Sequence, residues 1–222
     1  MILLSFSNLV INMPWRQNFR KFRLKIDSYF RRNSYDGMTK LLISTNIGVF
    51  LAWQVLDPRF MYKHFIMNEI NTIRQKKYYT IFTSSFSHTS AMHLFFNMVG
   101  LWFFGRHIEM ILGPLGLLNL YLTGSLFGYL GVWWEYKRKY WGRPIPNHLG
   151  ASGATSAIFS YFICGNPWEP VLFFFVPMPA VVAGLIIFFL GSGGYEGRVS
   201  HVGHLGGALG GAIFYFLRRG LF

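Results

Sequence analysis

The chain is short of cysteine and of charge, and each shortage excludes a class of protein. Cys164 is the only cysteine, so the chain forms no internal disulfide and offers no metal site with two cysteine ligands. Charged residues make up 13% of the sequence, about half the share found in soluble domains. Hydrophobic residues make up 52%. We therefore expect an integral membrane protein.

Acidic residues are also scarce, since 8 Asp and Glu stand against 21 Lys and Arg, a net charge of +13. Such an excess could indicate a nucleic-acid-binding protein. The basic residues, however, lie mainly in the first forty positions and in the connections between apolar runs. This distribution favours contact with anionic lipid at a membrane surface, and we expect no nucleic-acid partner.

Residues 1–40 form a basic N-terminal segment. The apolar stretch Met1–Met13 has no basic residues before it and no clear small-residue cleavage site after it, so we expect no secretory signal peptide. The rest of the segment is rich in arginine and holds two acids, Asp27 and Asp36. Its composition suits both a mitochondrial transit region and a cytosolic arm of a membrane protein.

Residues 41–222 contain six apolar runs that approach the roughly 20 residues needed to cross a hydrocarbon core. Backbone groups in lipid must be satisfied within the spanning segment, which requires helices. The sequence therefore predicts an all-α fold, a polytopic membrane bundle of six transmembrane helices in one domain. The predicted spans are 41–56, 91–106, 115–134, 150–165, 170–190 and 203–218.

A long connection, residues 57–90, separates the first two spans. It mixes aromatic residues with Arg and Lys, a composition typical of an amphipathic element that lies in the membrane interface. An ordinary loop outside the membrane is the alternative.

Polar residues inside predicted spans are costly and therefore point to function. In the second span His93 and Asn97 lie four residues apart on one helix face, with His88 just before the span. We expect these side chains to point into the bundle, where they either take part in a site or form an interhelical hydrogen bond.

The fourth and sixth spans carry matching stripes of small residues. Ser152, Ser156 and Ser160 recur every four residues in the fourth span, and Gly207 and Gly211 lie four residues apart in the sixth. His204 lies on the glycine stripe, so packing the two stripes together would bring it close to Ser152. Either stripe alone is also an ordinary helix-packing device, which is the alternative interpretation.

A serine beside a histidine is the arrangement that activates a hydroxyl for acyl transfer. His204 would accept the proton of Ser152, while the first N–H groups of the fourth helix, the Asn97 amide and His93 would donate to the oxyanion. All eight acids lie in loops or at span ends, so the catalytic unit would be a dyad. Clustered histidines could instead bind a metal, but no carboxylate ligand accompanies them, and we expect no metal or other cofactor.

Three motifs together resemble those of the rhomboid family of intramembrane serine proteases. They are the run His88-x4-His93-x3-Asn97, the segment Gly150-Ala151-Ser152-Gly153 and the glycine-rich helix that holds His204. They occur in the family's order, and the resemblance covers nearly all of the chain after residue 40. The segments around Ser152 and His204 are similar to the presenilin-associated, mitochondrial branch.

The resemblance implies a role for each of these residues. Ser152 would be the nucleophile, His204 the base, and His93, Asn97 and the Ser152 backbone the oxyanion hole. The remaining motif residues would contact substrate (His88, Gly150, Gly153) or pack helices (Gly207, Gly211). Many members carry a tyrosine one turn after the nucleophile that stacks on the catalytic histidine, whereas this chain has Ser156, so another group must orient His204.

The resemblance also implies substrates and a location. The substrates would be membrane proteins with one or more spans, cut in or near a transmembrane segment, and the mitochondrial inner membrane is the favoured location. A non-catalytic relative that escorts membrane clients is one alternative, although such relatives usually lack the Ser or the His. A transporter with a proton relay is another, although no inverted repeat is visible. Oligomeric state leaves no mark in the sequence.

Overall fold

The computed structural model describes residues 36–139, 144–173, 176–191 and 198–220, together with Lys21, Leu24 and Ser28. Most of the basic segment predicted at residues 1–40 therefore lies outside the described residues. The described helices are α1 (Gly37–Val55), α2 (Pro58–Phe65), α3 (Thr80–Thr83), α4 (Ala91–Gly100), α5 (Arg106–Leu112), α6 (Pro114–Lys139), α7 (Ser152–Gly165), α8 (Ala180–Gly191) and α9 (Arg198–Arg218). Short π-helical and 3-10 segments lie at Glu69–Arg74, Ser84–Phe86 and Leu101–Gly105, and a hairpin is formed by β1 (Pro170–Phe173) and β2 (Val176–Pro179).

The predicted helical bundle is confirmed in its coarse form, because the described chain is mostly helical. Five of the predicted spans fall on α1, on the run from α4 to α5, and on α6, α7 and α9. Among the described residues, α6 is the one helix whose length and hydropathy alone suffice to cross a membrane. The count of six spans stays a prediction.

The predicted fifth span, 170–190, is wrong in its first half. Residues 170–173 and 176–179 form an antiparallel hairpin, with Pro170 opposite Pro179 and Leu172 opposite Pro177, and the helix begins only at Ala180. Proline has no N–H to donate and obstructs the preceding helical turn, so this proline-rich stretch cannot continue a helix. The apolar composition of the run hid this break.

The centre of the bundle consists of α6, α7 and α9, whose backbones approach closely through glycine. A Cβ atom added to Gly124 of α6 would lie 2.8 Å from the Cα atom of Ala154 in α7. A Cβ atom on Gly131 would lie 3.4 Å from the Cα atom of Gly206 in α9. Any larger side chain at these positions would push the helices apart.

The start of α1 is held by a carboxylate from another helix. Both oxygens of Glu109 in α5 accept hydrogen bonds at 2.8 Å, one from the backbone N–H of Met38 and the other from the N–H and hydroxyl of Thr39. The first N–H groups of a helix have no partner within the helix, so an acceptor at this point stabilises the first turn. This contact accounts for a helix that begins at Gly37, four residues before the predicted span.

The connection 57–90 has a buried side and an exposed side. On the buried side, the Asn71 amide donates to the backbone oxygens of Tyr62 and Ile66 at 2.8 and 3.0 Å, and the hydroxyls of Thr72 and Thr80 lie 2.8 Å apart. The exposed side carries aromatic and basic side chains, which are Arg59, Phe60, Tyr62, Lys63, Arg74, Lys76, Tyr78, Tyr79 and Phe82. Its buried hydrogen bonds give the connection a defined position against the bundle.

Candidate functional site

The site begins at the tight approach to α7. Gly150 has φ +121°, a conformation that residues with a Cβ rarely adopt. A Cβ atom there would also lie 2.6 Å from the Cε1 atom of the His93 ring. The next residue of the motif, Ala151, donates its N–H to the Nε2 atom of His88 at 3.3 Å. Glycine at position 150 therefore lets the His93 ring lie against the backbone that leads to Ser152.

A second group of contacts joins α4 to α7. The Asn97 amide donates to the backbone oxygen of His93 at 2.9 Å, and its own oxygen accepts a hydrogen bond from the Thr155 hydroxyl at 3.0 Å. The rings of His88 and His93 meet edge to face, with centroids 5.0 Å apart. Thr155 was not predicted as a site residue, although it lies one turn beyond Ser152 on the same helix.

Helices α7 and α9 meet along their glycine positions. A Cβ atom on Gly207 would overlap the carbonyl oxygen of Gly153 and lie 2.9 Å from its Cα atom. A Cβ atom on Gly211 would lie 2.7 Å from the Cα atom of Ala157. The glycine stripe of α9 is therefore in direct backbone contact with α7, but at Gly153 and Ala157, the positions next to the predicted stripe of Ser152 and Ser156.

This helix contact brings the positions of Ser152 and His204 to the same end of the α7–α9 interface. Ser152 is the first residue of α7 and directly precedes Gly153, while His204 lies one helical turn before Gly207. Both residues are buried, with exposed fractions of 7% and 2%. The titratable neighbours of His204 are His148, His93 and His201. A buried hydroxyl and a buried imidazole thus lie at one end of this interface, with further imidazoles nearby.

His148 belongs to this region and was not singled out in the sequence. Its imidazole lies against α9, because a Cβ atom on Gly203 would be 3.2 Å from the Cε1 atom of the ring. Burial, followed by the neighbouring His93, lowers the pKa of His148 to about 4. Burial likewise lowers the pKa of His88 to about 3. Both imidazoles are therefore neutral at pH 7. The one sequence signal for His148 is its position two residues before Gly150, and in a single sequence this looks the same as an ordinary histidine in a loop.

Metal ligation was considered for the clustered histidines. Within the ranges that the structure describes, no group of three or more His, Cys, Asp or Glu side chains is arranged to hold a metal ion. The described geometry offers hydrogen-bonding and proton-transfer groups around Ser152.

Comparison with known proteins shows one family. The family model described as the rhomboid domain matches residues 75–220. RHOMBOID-like protein 12, mitochondrial, of Arabidopsis thaliana is 35% identical over 201 residues, which cover 82% of this chain and 58% of that protein. Rhomboid protein 1, mitochondrial, of Saccharomyces cerevisiae is 30% identical over 84% of this chain and 54% of its own length. Presenilin-associated rhomboid-like protein, mitochondrial, of Homo sapiens is 30% identical over 92% of this chain and 56% of its own length. The chain thus spans a little over half the length of these relatives.

Proposed function

The chain belongs to the rhomboid family, in its mitochondrial branch, and we propose that it is an intramembrane serine endopeptidase that uses a Ser152/His204 dyad. The observation that supports this proposal is the backbone contact between Gly207 of α9 and Gly153 of α7, because Gly153 follows Ser152 directly and Gly207 lies one turn after His204. Neither side chain reaches the surface to any extent, as expected for a reaction protected from bulk water.

The proposed reaction is acyl transfer in two halves. His204 accepts the hydroxyl proton of Ser152 as the Ser152 oxygen attacks a peptide carbonyl, and it returns that proton to the leaving amine when the C–N bond breaks. Water then attacks the acyl-serine ester with His204 again as base, which releases the acid product and regenerates Ser152. Neutral His148 and His88 add no charge that would oppose a proton on His204.

The proposed oxyanion hole lies on the α4 side. The Asn97 amide carries two hydrogens, and one of them donates to the His93 oxygen. The carbonyl oxygen of His93 can only accept, so this hydrogen bond fixes which end of the amide is the donor end, and the amide oxygen lies 3.0 Å from the Thr155 hydroxyl. The Asn97 amide, the His93 ring and the Ser152 N–H at the start of α7 are the proposed donors, and donors fixed in advance stabilise a developing oxyanion most.

The substrates we propose are membrane proteins cut in or near a transmembrane segment, in the mitochondrial inner membrane. The relatives' names supply the organelle, and family membership supplies the membrane setting. In this proposal the protease domain is residues 41–222, and its six spans are α1, the α4–α5 run, α6, α7, α8 and α9.

Reconstitution in liposomes with a tagged single-span substrate tests the proposal. Wild type is expected to cut, and Ser152→Ala and His204→Ala are expected to cut at background rate. Two matched controls, Ser160→Ala on the same α7 stripe and His201→Ala one turn before His204, are expected to retain activity. Cleavage by Ser152→Ala would disprove the serine mechanism. Absence of cleavage by wild type across several substrates would favour a client-binding protein.

A further inference from the structure

The imidazole of His148 lies beside Gly203 of α9, the residue directly before His204. A Cβ atom on Gly203 would lie 3.2 and 3.3 Å from the Cε1 and Nε2 atoms of His148, tighter than most carbon contacts. The other sides of Gly203 are occupied as well, because its carbonyl oxygen would be 3.2 Å from a Cβ on Gly128 and 3.7 Å from a Cβ on Gly153. The His148 ring, Gly128 and Gly153 therefore lie around the α9 turn that contains His204.

The backbone of His148 is held in turn by the connection 57–90. His148 and Met67 exchange two hydrogen bonds, with N···O distances of 2.8 and 3.1 Å. The neighbouring Asn147 side-chain oxygen accepts from the Tyr62 hydroxyl at 2.7 Å and from the Asn68 amide at 2.9 Å. A ring on an anchored backbone can hold the helix against which it packs.

On the α7 side, position 156 carries a serine and supplies no ring. Ser156, one turn beyond Ser152, lines a groove of about 320 Å³ between α7, α8 and α9. A hydroxymethyl group there leaves open space where an aromatic side chain would make contact. The ring support for this part of α9 therefore comes from His148, on the other side of the helix.

We propose that His148 is a positioning residue for His204. The His148 imidazole lies against Gly203 and fixes the first turns of α9 relative to the α7 N-terminus. This inference rests on the proposed dyad. The ring acts by shape and in its neutral form, since a cation beside the base would oppose the imidazolium that forms on His204. Burial, which lowers the pKa of His148 to about 4, keeps the ring neutral at pH 7. The other titratable groups facing His204 are His93 and His201.

The test is a double-mutant cycle in the liposome cleavage assay with purified full-length variants. His148→Ala is expected to lower kcat on the order of 10- to 100-fold at unchanged KM, because a shift of the base by about 1 Å has that effect. His148→Phe, which keeps a ring, is expected to restore kcat to within about threefold of wild type. Gly203→Ala is expected to lower kcat by about tenfold by displacing the ring, without lowering Tm, because Ala favours helix over Gly. In the His148→Ala background, Gly203→Ala is expected to have no further effect on kcat.

The outcomes of the cycle distinguish a positioning role of His148 from a merely structural one and from failure of the proposed function. If wild type is active and His148→Ala keeps its kcat, or if the two substitutions multiply independently, the positioning role is refuted while the dyad stands. If His148→Ala lowers Tm and kcat together and Phe restores neither, the residue is only structural. If wild type neither cleaves nor reacts at Ser152 with a fluorophosphonate probe, the proposed function has failed and this inference fails with it.

Discussion

Replacing Glu109 by Gln is expected to destabilise the fold by about 1 to 4 kcal/mol. The carboxylate of Glu109 is buried and accepts three hydrogen bonds of 2.8 Å at the start of α1, two from backbone N–H groups and one from a hydroxyl. A glutamine amide keeps one acceptor oxygen but turns an NH2 group toward a donor. One buried N–H then loses its partner, at a cost of about 1 to 3 kcal/mol, and the favourable charge at the helix N-terminus, worth about 0.3 to 1 kcal/mol, is lost as well.

Thermal unfolding in detergent, followed by helical circular dichroism, measures this effect. The matched control is Glu135→Gln, because Glu135 is also a helical glutamate, paired at 3.1 Å with Lys139, whose side chain is 52% exposed. The Glu135 side chain is itself 13% exposed, so this pair is open to solvent mainly at the lysine. A helical pair of this spacing contributes about 0.3 to 0.5 kcal/mol, so the control is expected to shift Tm by a small fraction of the Glu109→Gln shift. Equal shifts for the two variants would refute the view that the buried carboxylate ties α5 to α1.

Two further predictions concern helix packing and pH. Gly207→Ala is expected to lower Tm by several degrees, because the added Cβ would overlap the Gly153 carbonyl. Gly48→Ala is expected to raise Tm slightly, because its Cβ would have nothing within 4 Å and Ala favours helix. Equal effects of the two substitutions would contradict the packing described. Acid is expected to destabilise the protein as the pH falls from about 6.5 toward 4. Burial holds the pKa of His88 at about 3 and that of His148 at about 4 in the folded protein. The same histidines take up protons in this pH range only in the unfolded chain, which acid therefore favours. The free energy of unfolding falls by at most about 1.4 kcal/mol per pH unit for each histidine. If Tm falls as steeply with pH in His148→Phe as in wild type, His148 makes no such contribution.

The helices of the candidate site could be predicted from the sequence, because a long apolar run with a polar stripe has few alternatives to a helix in a membrane. The small-residue stripes predict that Ser152 and His204 lie at one helix interface, and α7 and α9 are in backbone contact at Gly153 and Ala157, one position beyond Ser152 and Ser156 of the predicted stripe. The dyad itself stays a proposal. The hairpin at 170–179 was missed because hydropathy was given more weight than its prolines, although proline is the stronger local signal.

His148 and Thr155 were missed for a different reason. Periodicity relates residues within one helix, whereas the partner of His148 is Gly203, 55 positions later in the chain, and the partner of Thr155 is Asn97, 58 positions earlier. A single sequence holds no record of such pairs. The identity of Ser156 showed that another group must orient His204 but could not show which one.

The contacts of connection 57–90 also bear on how a substrate reaches Ser152. The segment before α7 accepts or donates four backbone hydrogen bonds with this connection, which are the two between Met67 and His148, one from Glu69 to Ile145 and one from Gly150 to Ser84. Displacing the connection would break all four, at a net cost of roughly 2 to 6 kcal/mol. The same movement would release the His148 ring from Gly203 and disturb the proposed base. In the proposed protease, an opening elsewhere in the bundle would admit substrate without this cost, and we interpret the connection as a positioning element and not as a gate.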